Sequence, residues 1–493
     1  MIALWVLVAY VVILVGIGFV ANRWLSGSGE DFFLASHGIG PVLMLLSVFG
    51  TTMTSFALVG STGQSYKVGI GVYGLMASWA AIVHPMMFVW VGVPIWHLGR
   101  RYGFVTQVQL LRDRYQSELL GWVLFPVLVL LVLPYVVIGI QGAGATVGVV
   151  TKGVWSDGGG LPPWLTGAVV TAVVLFYVAY GGIRAAAWAN ALQTTVFILV
   201  AIVTFGAIAS ALGGPSAAIA AAAAKRPELL LRGDAFTQGQ FMSYGLVGLS
   251  VATFPHLFQH WLTARSANTF KVVAIAHPVL VGLVWFPCVL IGVWAAGQLK
   301  LPPEDANKVL GAMVGKFAPS YVGSMLTAGI IVAVTASLDS QFLCLGTMFT
   351  HDVVEKITGK LDEAKRIQVS RAFMLLVAVA AYGLSLINSK SVFELGVWCF
   401  SGFTGLLPIV IGALYWRRAT AAGAMASLAV TVVTWTAFFA NSLGGHGGEP
   451  LALGVMPVTW VLLASTVAMV VVSLATKPPS DDVVRRYIRD ATA

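Results

Sequence analysis

Apolar runs long enough to cross a hydrocarbon layer recur along nearly the whole chain. That repetition constrains the fold more than any single motif. About 20 apolar residues span the ~30 Å core of a bilayer as a helix. Thirteen such segments can be counted, at about 2–21, 39–63, 71–98, 119–150, 162–180, 187–212, 238–262, 272–297, 321–349, 369–387, 391–415, 421–441 and 453–475. Within lipid each backbone polar group must be satisfied inside the segment, which favours helices. With 58% hydrophobic and 10% charged residues, no water-soluble fold needs so much apolar surface. The expected class is an all-α polytopic membrane protein with thirteen transmembrane helices. The first segment lacks a small-residue cleavage site after it and is expected to be a retained span.

Charge placement orients the chain. With the N-terminus outside, 19 of the 28 lysines and arginines fall in inner loops and the C-terminus is cytoplasmic. A bacterial inner (plasma) membrane location is expected. The net charge of +9 suits basic inner loops and gives no case for nucleic acid. Cys288, Cys344 and Cys399 all lie in apolar segments, with no disulfide frame or metal motif. The loop 100–117 is basic and amphipathic, as an interfacial helix would be. The segment 350–368 reads as a solvated inner connector, and the tail 476–493 as short and polar. No nucleophile elbow, phosphate loop or Cys/His cluster appears, so an enzyme is not expected. The expected partners are a small-molecule solute and membrane lipids. A monomer suffices for function, and a dimer is compatible with it.

Two segments break the apolar rule. In the second, Gly50 is followed by Thr51, Thr52, Met53, Thr54 and Ser55. Four hydroxyls in five positions at membrane depth suit either a tight helix–helix seam or an unwound stretch lining a polar cavity. In the seventh, Phe254-Pro255-His256 removes a backbone donor in mid-segment. Five spans separate the starts of the two interrupted segments, the pattern of an inverted-repeat transporter. The expected organisation is a first span and inner loop (1–38), repeat one (39–212, spans 2–6), repeat two (238–415, spans 7–11), spans 12–13 (416–475) and the tail. A channel lacks support, because no pore loop repeats. A sensor is disfavoured by the short tail.

Several stretches together carry a family resemblance. Glu30 to Ala35 is an acidic-aromatic entry to span 2. Arg101 to Thr106 and Arg112 to Tyr115 form the inner loop after span 3. Tyr180-Gly181-Gly182 leads into Trp188-Ala189-Asn190-Ala191-Leu192-Gln193. Ala333 to Gln341 lies in span 9, and Pro408, Gly412, Trp416 and Arg417 close span 11. The chain resembles the sodium:solute symporter family, which implies the leucine-transporter fold, 5+5 inverted repeats with spans 2 and 7 broken, and alternating access. The resemblance implies a sodium site from Gly50, Met53, Ala333, Ala336 and Ser337. Oxygen donors suit such a hard cation. Three positions depart from the family pattern: Asn190 stands for aspartate, Ala336 for serine and His260 for arginine.

The expected function is inward sodium flow coupled to uptake of a small polar organic solute, with a small carboxylate or amino acid favoured. The expected cavity wall comprises Thr51, Thr52, Thr54, Ser55, Gln64, His84, Phe254 and His256. A sugar symporter is the alternative on substrate. A proton-coupled monocarboxylate symporter is the alternative on ion, because histidine titrates near neutrality and Asp339, His260 and Asn190 are candidates for proton transfer or gating.

Overall fold

The computed structural model describes residues 2–489 other than 24–27, 54, 152, 154, 156–158, 232–235, 320–322, 324–328, 330–331, 333–336, 388–390 and 444–452. Among the described residues the protein is helical, with one isolated bridge between Ile39 and Ala264. Among the described residues, eight helices are long and apolar enough to cross a membrane, or up to ten if each of two bent pairs is one span.

Local chemistry sets the ends of these helices. Proline at the first turn opens Pro41–Thr52, Pro163–Ala211, Pro255–Leu262 and Pro457–Ala475, where its missing N–H has no intrahelical partner to lose. Thr106 and Gln109 form a reciprocal capping box at Gln107–Tyr115, and Ser391 with Glu394 does the same at Val392–Gly405.

The helix Pro163–Ala211 runs over 49 residues. At 1.5 Å per residue that is about 74 Å, more than twice a hydrocarbon core. Gly182 divides it, with φ 59° and ψ −153°. A Cβ there would sit 2.5 Å from the Phe32 carbonyl oxygen, so only glycine lets the chain fold over the short Gly29–Leu34 helix. Arg184, just past this break, pairs with buried Asp31 at 2.5 Å.

The helix Asn268–Gln298 lies at the centre. It packs against Pro41–Thr52, Ser61–Val68, Ser78–Met87 and Pro163–Ala211. Two expectations for the loops need correcting. The segment 350–368 is not wholly solvated. Helical structure continues to Thr358, and Thr350 and Asp352 are buried, with Asp352 facing Arg112 at 3.7 Å. Further on, burial alone would raise the Glu355 carboxyl, but hydrogen bonds from His351 and Arg366 hold it down at about 2. The tail is not a loose polar end either. Tyr487 is fully buried, donates to Asp113 Oδ2 and stacks near Tyr102 and Phe104.

Candidate functional site

Both expected interruptions coincide with bends. Pro41–Thr52 meets Phe56–Val68 at 55°, and Gln238–Ala252 meets Pro255–Leu262 at 50°. At the first, Met53 leaves the helical region (φ −95°, ψ 86°), and a π-helical turn follows at Phe56–Gly60. At the second, a 3-10 turn over Leu249–Ala252 gives way to extended Phe254 (φ −67°, ψ 120°) before Pro255 restarts the helix. The restriction that proline puts on its predecessor accounts for Phe254. Hydroxyls at the bends tie them to neighbouring helices: Thr253 Oγ1 donates to Phe403 O at 2.8 Å, and Ser55 Oγ to Ile138 O at 2.8 Å.

One side of the first bend is a polar knot. Asn190 Nδ2 lies 3.2 Å from Thr51 Oγ1, 3.1 Å from Ser340 Oγ and 3.3 Å from Asp339 Oδ1. Tyr177 donates to Asp339 Oδ2 at 3.0 Å, and Ser340 Oγ to Asp339 Oδ1 at 2.9 Å. His260 reaches Ser340 through Nε2 at 2.8 Å and Ser47 through Nδ1 at 3.2 Å. Asp339, Asn190 and His260 are all buried. A carboxylate sealed from water needs such donors, since an ionised group without them is expensive to bury. Arg184, an inner-side base, is held by Asp31 and not by Asp339.

The other side is a small, partly open cavity of about 30 Å³. Its wall includes Thr52, Met53, Phe56, His84, Tyr135, Tyr244, Ser250, Phe254, Trp285 and Phe400. Aromatic rings pack closely around it, with Phe56 and Phe400 centroids 5.1 Å apart and Tyr135 and Phe400 5.3 Å apart. Of the residues expected in the wall, Thr52, His84 and Phe254 line it. Thr51 faces the polar knot, and Ser55 is tied to Ile138. His256 is stacked on Phe254 at 5.0 Å and is not in the wall. Gln64, on Ser61–Val68, is also outside it.

The expected sodium ligands are only partly open to inspection. Gly50 and Met53 are buried at the end of Pro41–Thr52. Ser337 is fully buried as the residue before Leu338–Met348, and its hydroxyl has no hydrogen-bond partner among the described residues. Ala333, Ala336 and the wall candidate Thr54 lie outside the described residues. Among the described residues no group of three or more His, Cys, Asp or Glu side chains could hold a metal ion.

Sequence reasoning missed Ser340, Tyr177, Ser47 and His277. The first two share the knot with Asp339, and the signal was there for Ser340, one residue away. Tyr177 and His277 read as ordinary packing residues in apolar helices. Only the fold brings them to their partners.

Comparison with known proteins agrees with this architecture. The model of the sodium:solute symporter family matches residues 32–431. A sodium/pantothenate symporter of Escherichia coli is 25% identical over 463 residues, covering 90% of this chain and 92% of that protein. A sodium/proline symporter of Staphylococcus aureus is 24% identical, covering 95% of this chain and 92% of its own. Among solved structures, a Na+-coupled sialic acid symporter in a substrate-bound outward-open state superposes with a TM-score of 0.79 at 14% identity, covering 97% of this chain and 99% of that one.

Proposed function

Because the chain belongs to the sodium:solute symporter family, whose members are multi-pass sodium-coupled transporters and not enzymes, we propose that it takes up a small carboxylate or amino acid by alternating access. The observation that carries this reading is the orphaned, fully buried Ser337 hydroxyl beside the first bend. A buried polar atom without a partner is costly unless a ligand completes it. Sodium held by that hydroxyl, with oxygens from Gly50, Met53, Ala333 and Ala336, satisfies it.

The solute then sits in the cavity at the bends, against Thr52, His84 and Phe254, with Thr51, Thr54, Ser55, Gln64 and His256 as neighbouring candidates. The wall is largely apolar, and among the described residues no carboxylate, lysine or arginine lines it. Such a wall suits a solute with an apolar body and one polar end. The half-helix Pro255–Leu262 presents its N-terminus nearby, where an anion is favoured. Relatives that carry pantothenate and proline support small organic solutes of this kind.

The proposed frame has thirteen spans. Residues 39–212 and 238–415 form inverted repeats, and the N-terminus faces outward from a bacterial inner membrane. A functional monomer with lipid contacts suffices.

Uptake into proteoliposomes tests the coupling. A sodium gradient at equal pH is expected to drive accumulation, and a pH gradient without sodium is not. The second reading is proton coupling. One observation favours it: the chain of buried groups from Ser47 through His260 and Ser340 to Asp339 and Tyr177 could pass a proton. Uptake driven only by the pH gradient would establish that reading and remove sodium.

A further inference from the structure

His277 takes no part in the functional reading so far, yet it is fully buried and touches the cavity wall. It lies on Asn268–Gln298, with its ring edge-on to Phe49 at 5.4 Å and Phe88 at 5.1 Å. Its Nε2 is 3.2 Å from Nδ1 of His84. His84 lines the cavity; His277 does not.

A hydrogen bond between two neutral imidazoles needs one N–H and one lone pair. The contact therefore fixes both tautomers together. In one arrangement His84 Nδ1–H donates to His277. The His277 proton must then sit on Nδ1, which is sealed and has no partner among the described residues. In the other, His277 Nε2–H donates to His84 Nδ1. The sealed Nδ1 is then a bare lone pair, and His84 carries its proton on Nε2. A buried orphan N–H is the rarer defect in native interiors, so the second arrangement is favoured. His84 Nε2 is not among the sealed, unpartnered atoms.

Three of the other polar groups in the wall point away from the space. Thr52 Oγ1 donates to the Val48 and Phe49 carbonyls, Tyr135 OH to the Thr51 carbonyl, and Trp285 Nε1 to Met53 Sδ. Those hydrogens are already directed at the protein. We propose that His277 is a positioning residue that holds His84 in its Nε2–H tautomer, so that the cavity offers a hydrogen-bond donor to one oxygen of a solute carboxylate. The proposal rests on the reading that this cavity holds the solute. The bond between an N–H and a carboxylate is charge-assisted and stronger than one to a neutral oxygen.

Two measurements test it on the full-length protein at saturating sodium. The first compares binding of propionate and pyruvate with binding of propionamide in wild type, His277→Gln and His277→Phe, read from intrinsic tryptophan fluorescence. The glutamine amide can replace Nε2–H; phenylalanine cannot. His277→Phe is expected to weaken both acids about tenfold and the amide less than twofold, with His277→Gln within about threefold of wild type. A wild type that does not prefer acid over amide overturns the carboxylate reading itself. A wild type that prefers the acids, with His277→Phe keeping that preference, overturns the positioning role alone. Equal weakening of acids and amide, without rescue by glutamine, also overturns it, because that is the mark of simple packing. The second measurement needs no ligand: 15N spectra of histidine-labelled protein, with His84→Gln for assignment, should show His84 protonated at Nε2. Protonation at Nδ1 overturns the proposal.

Discussion

Thr51 and its neighbours Thr52 and Met53 stand between two regions made of opposite materials. On the Thr51 side, Asn190, Asp339, Ser340, Tyr177 and His260 bond to one another, and of their buried side-chain polar atoms only Asn190 Oδ1 is left without a partner among the described residues. On the Thr52–Met53 side, Phe56, Tyr135, Trp285, Phe400 and Phe254 enclose a space with few polar tips. The polar knot has little slack: each member's position depends on several partners, as in any buried network. The cavity is held by ring packing, which tolerates a change of occupant more readily. One short unwound stretch borders both. Under the proposed assignment of the sodium site and the solute cavity, this shared stretch is the physical route by which the two would be coupled.

The comparison breaks hardest at Asp339. Asp339→Asn removes the one carboxylate in the knot and puts an NH2 donor where one carboxylate oxygen had accepted, against either Tyr177 or Asn190 and Ser340. Losing a charged partner in a buried network costs ~3 kcal/mol, about a hundredfold. Sodium-driven uptake in proteoliposomes is expected to fall by at least that factor. Uptake within twofold of wild type would make the knot mere scaffolding. Asn190→Asp should also be damaging, because two carboxylates would then face each other across 3.3 Å or so, and one must stay protonated. Its signature is a transport rate that recovers as pH is lowered.

Ser337→Ala separates the two regions. It should raise the sodium concentration for half-maximal uptake about tenfold, equivalent to ~1.4 kcal/mol. Solute affinity at saturating sodium should change less than twofold. Equal effects on both would mean that the two regions are not distinct. Phe400→Ala is the mirror experiment. Truncating a buried aromatic in the wall should weaken solute binding by about tenfold, with sodium affinity little altered.

The smallest effect concerns neither region. The Glu355 carboxyl, held at about 2 against an ordinary value of 4.5, stabilises the folded state fully above pH ~4.5. That contribution is lost as pH falls toward 2. Glu355→Gln should therefore flatten the acid side of the thermal-unfolding midpoint against pH. It should leave the midpoint between pH 6 and 8 only slightly lower, because the side chain is partly solvated.

Much of the frame was legible in the residues. Apolar runs of the right length, Gly50 with its hydroxyl neighbours, and Pro255 all have local causes. Asp339, Asn190 and His260 stood out singly as polar groups in apolar surroundings. Their meeting did not, because Asn190 and Asp339 are 149 positions apart and the contact is made by packing. His84 was conspicuous beside Pro85, whereas His277 beside Pro278 was overlooked. Nothing in either segment records that the two rings touch. The burial of Asp352 was likewise invisible, since a charged run reads as solvated until Arg112 arrives from another helix.

The docked C-terminus carries a practical consequence. Tyr487 is wedged beside Tyr102 and Phe104 and bonded to Asp113, with Arg486 paired to the same carboxylate at 2.5 Å. The end of the chain is thus fastened to the amphipathic Gln107–Tyr115 helix and must travel with it. A fluorophore attached just beyond Tyr487 would act as a pointer on that helix. Paired with a second dye on Glu363–Ile387, it would let single-molecule distance records follow how these two helices move relative to one another through each turnover, with both labels outside the cavity at the bends.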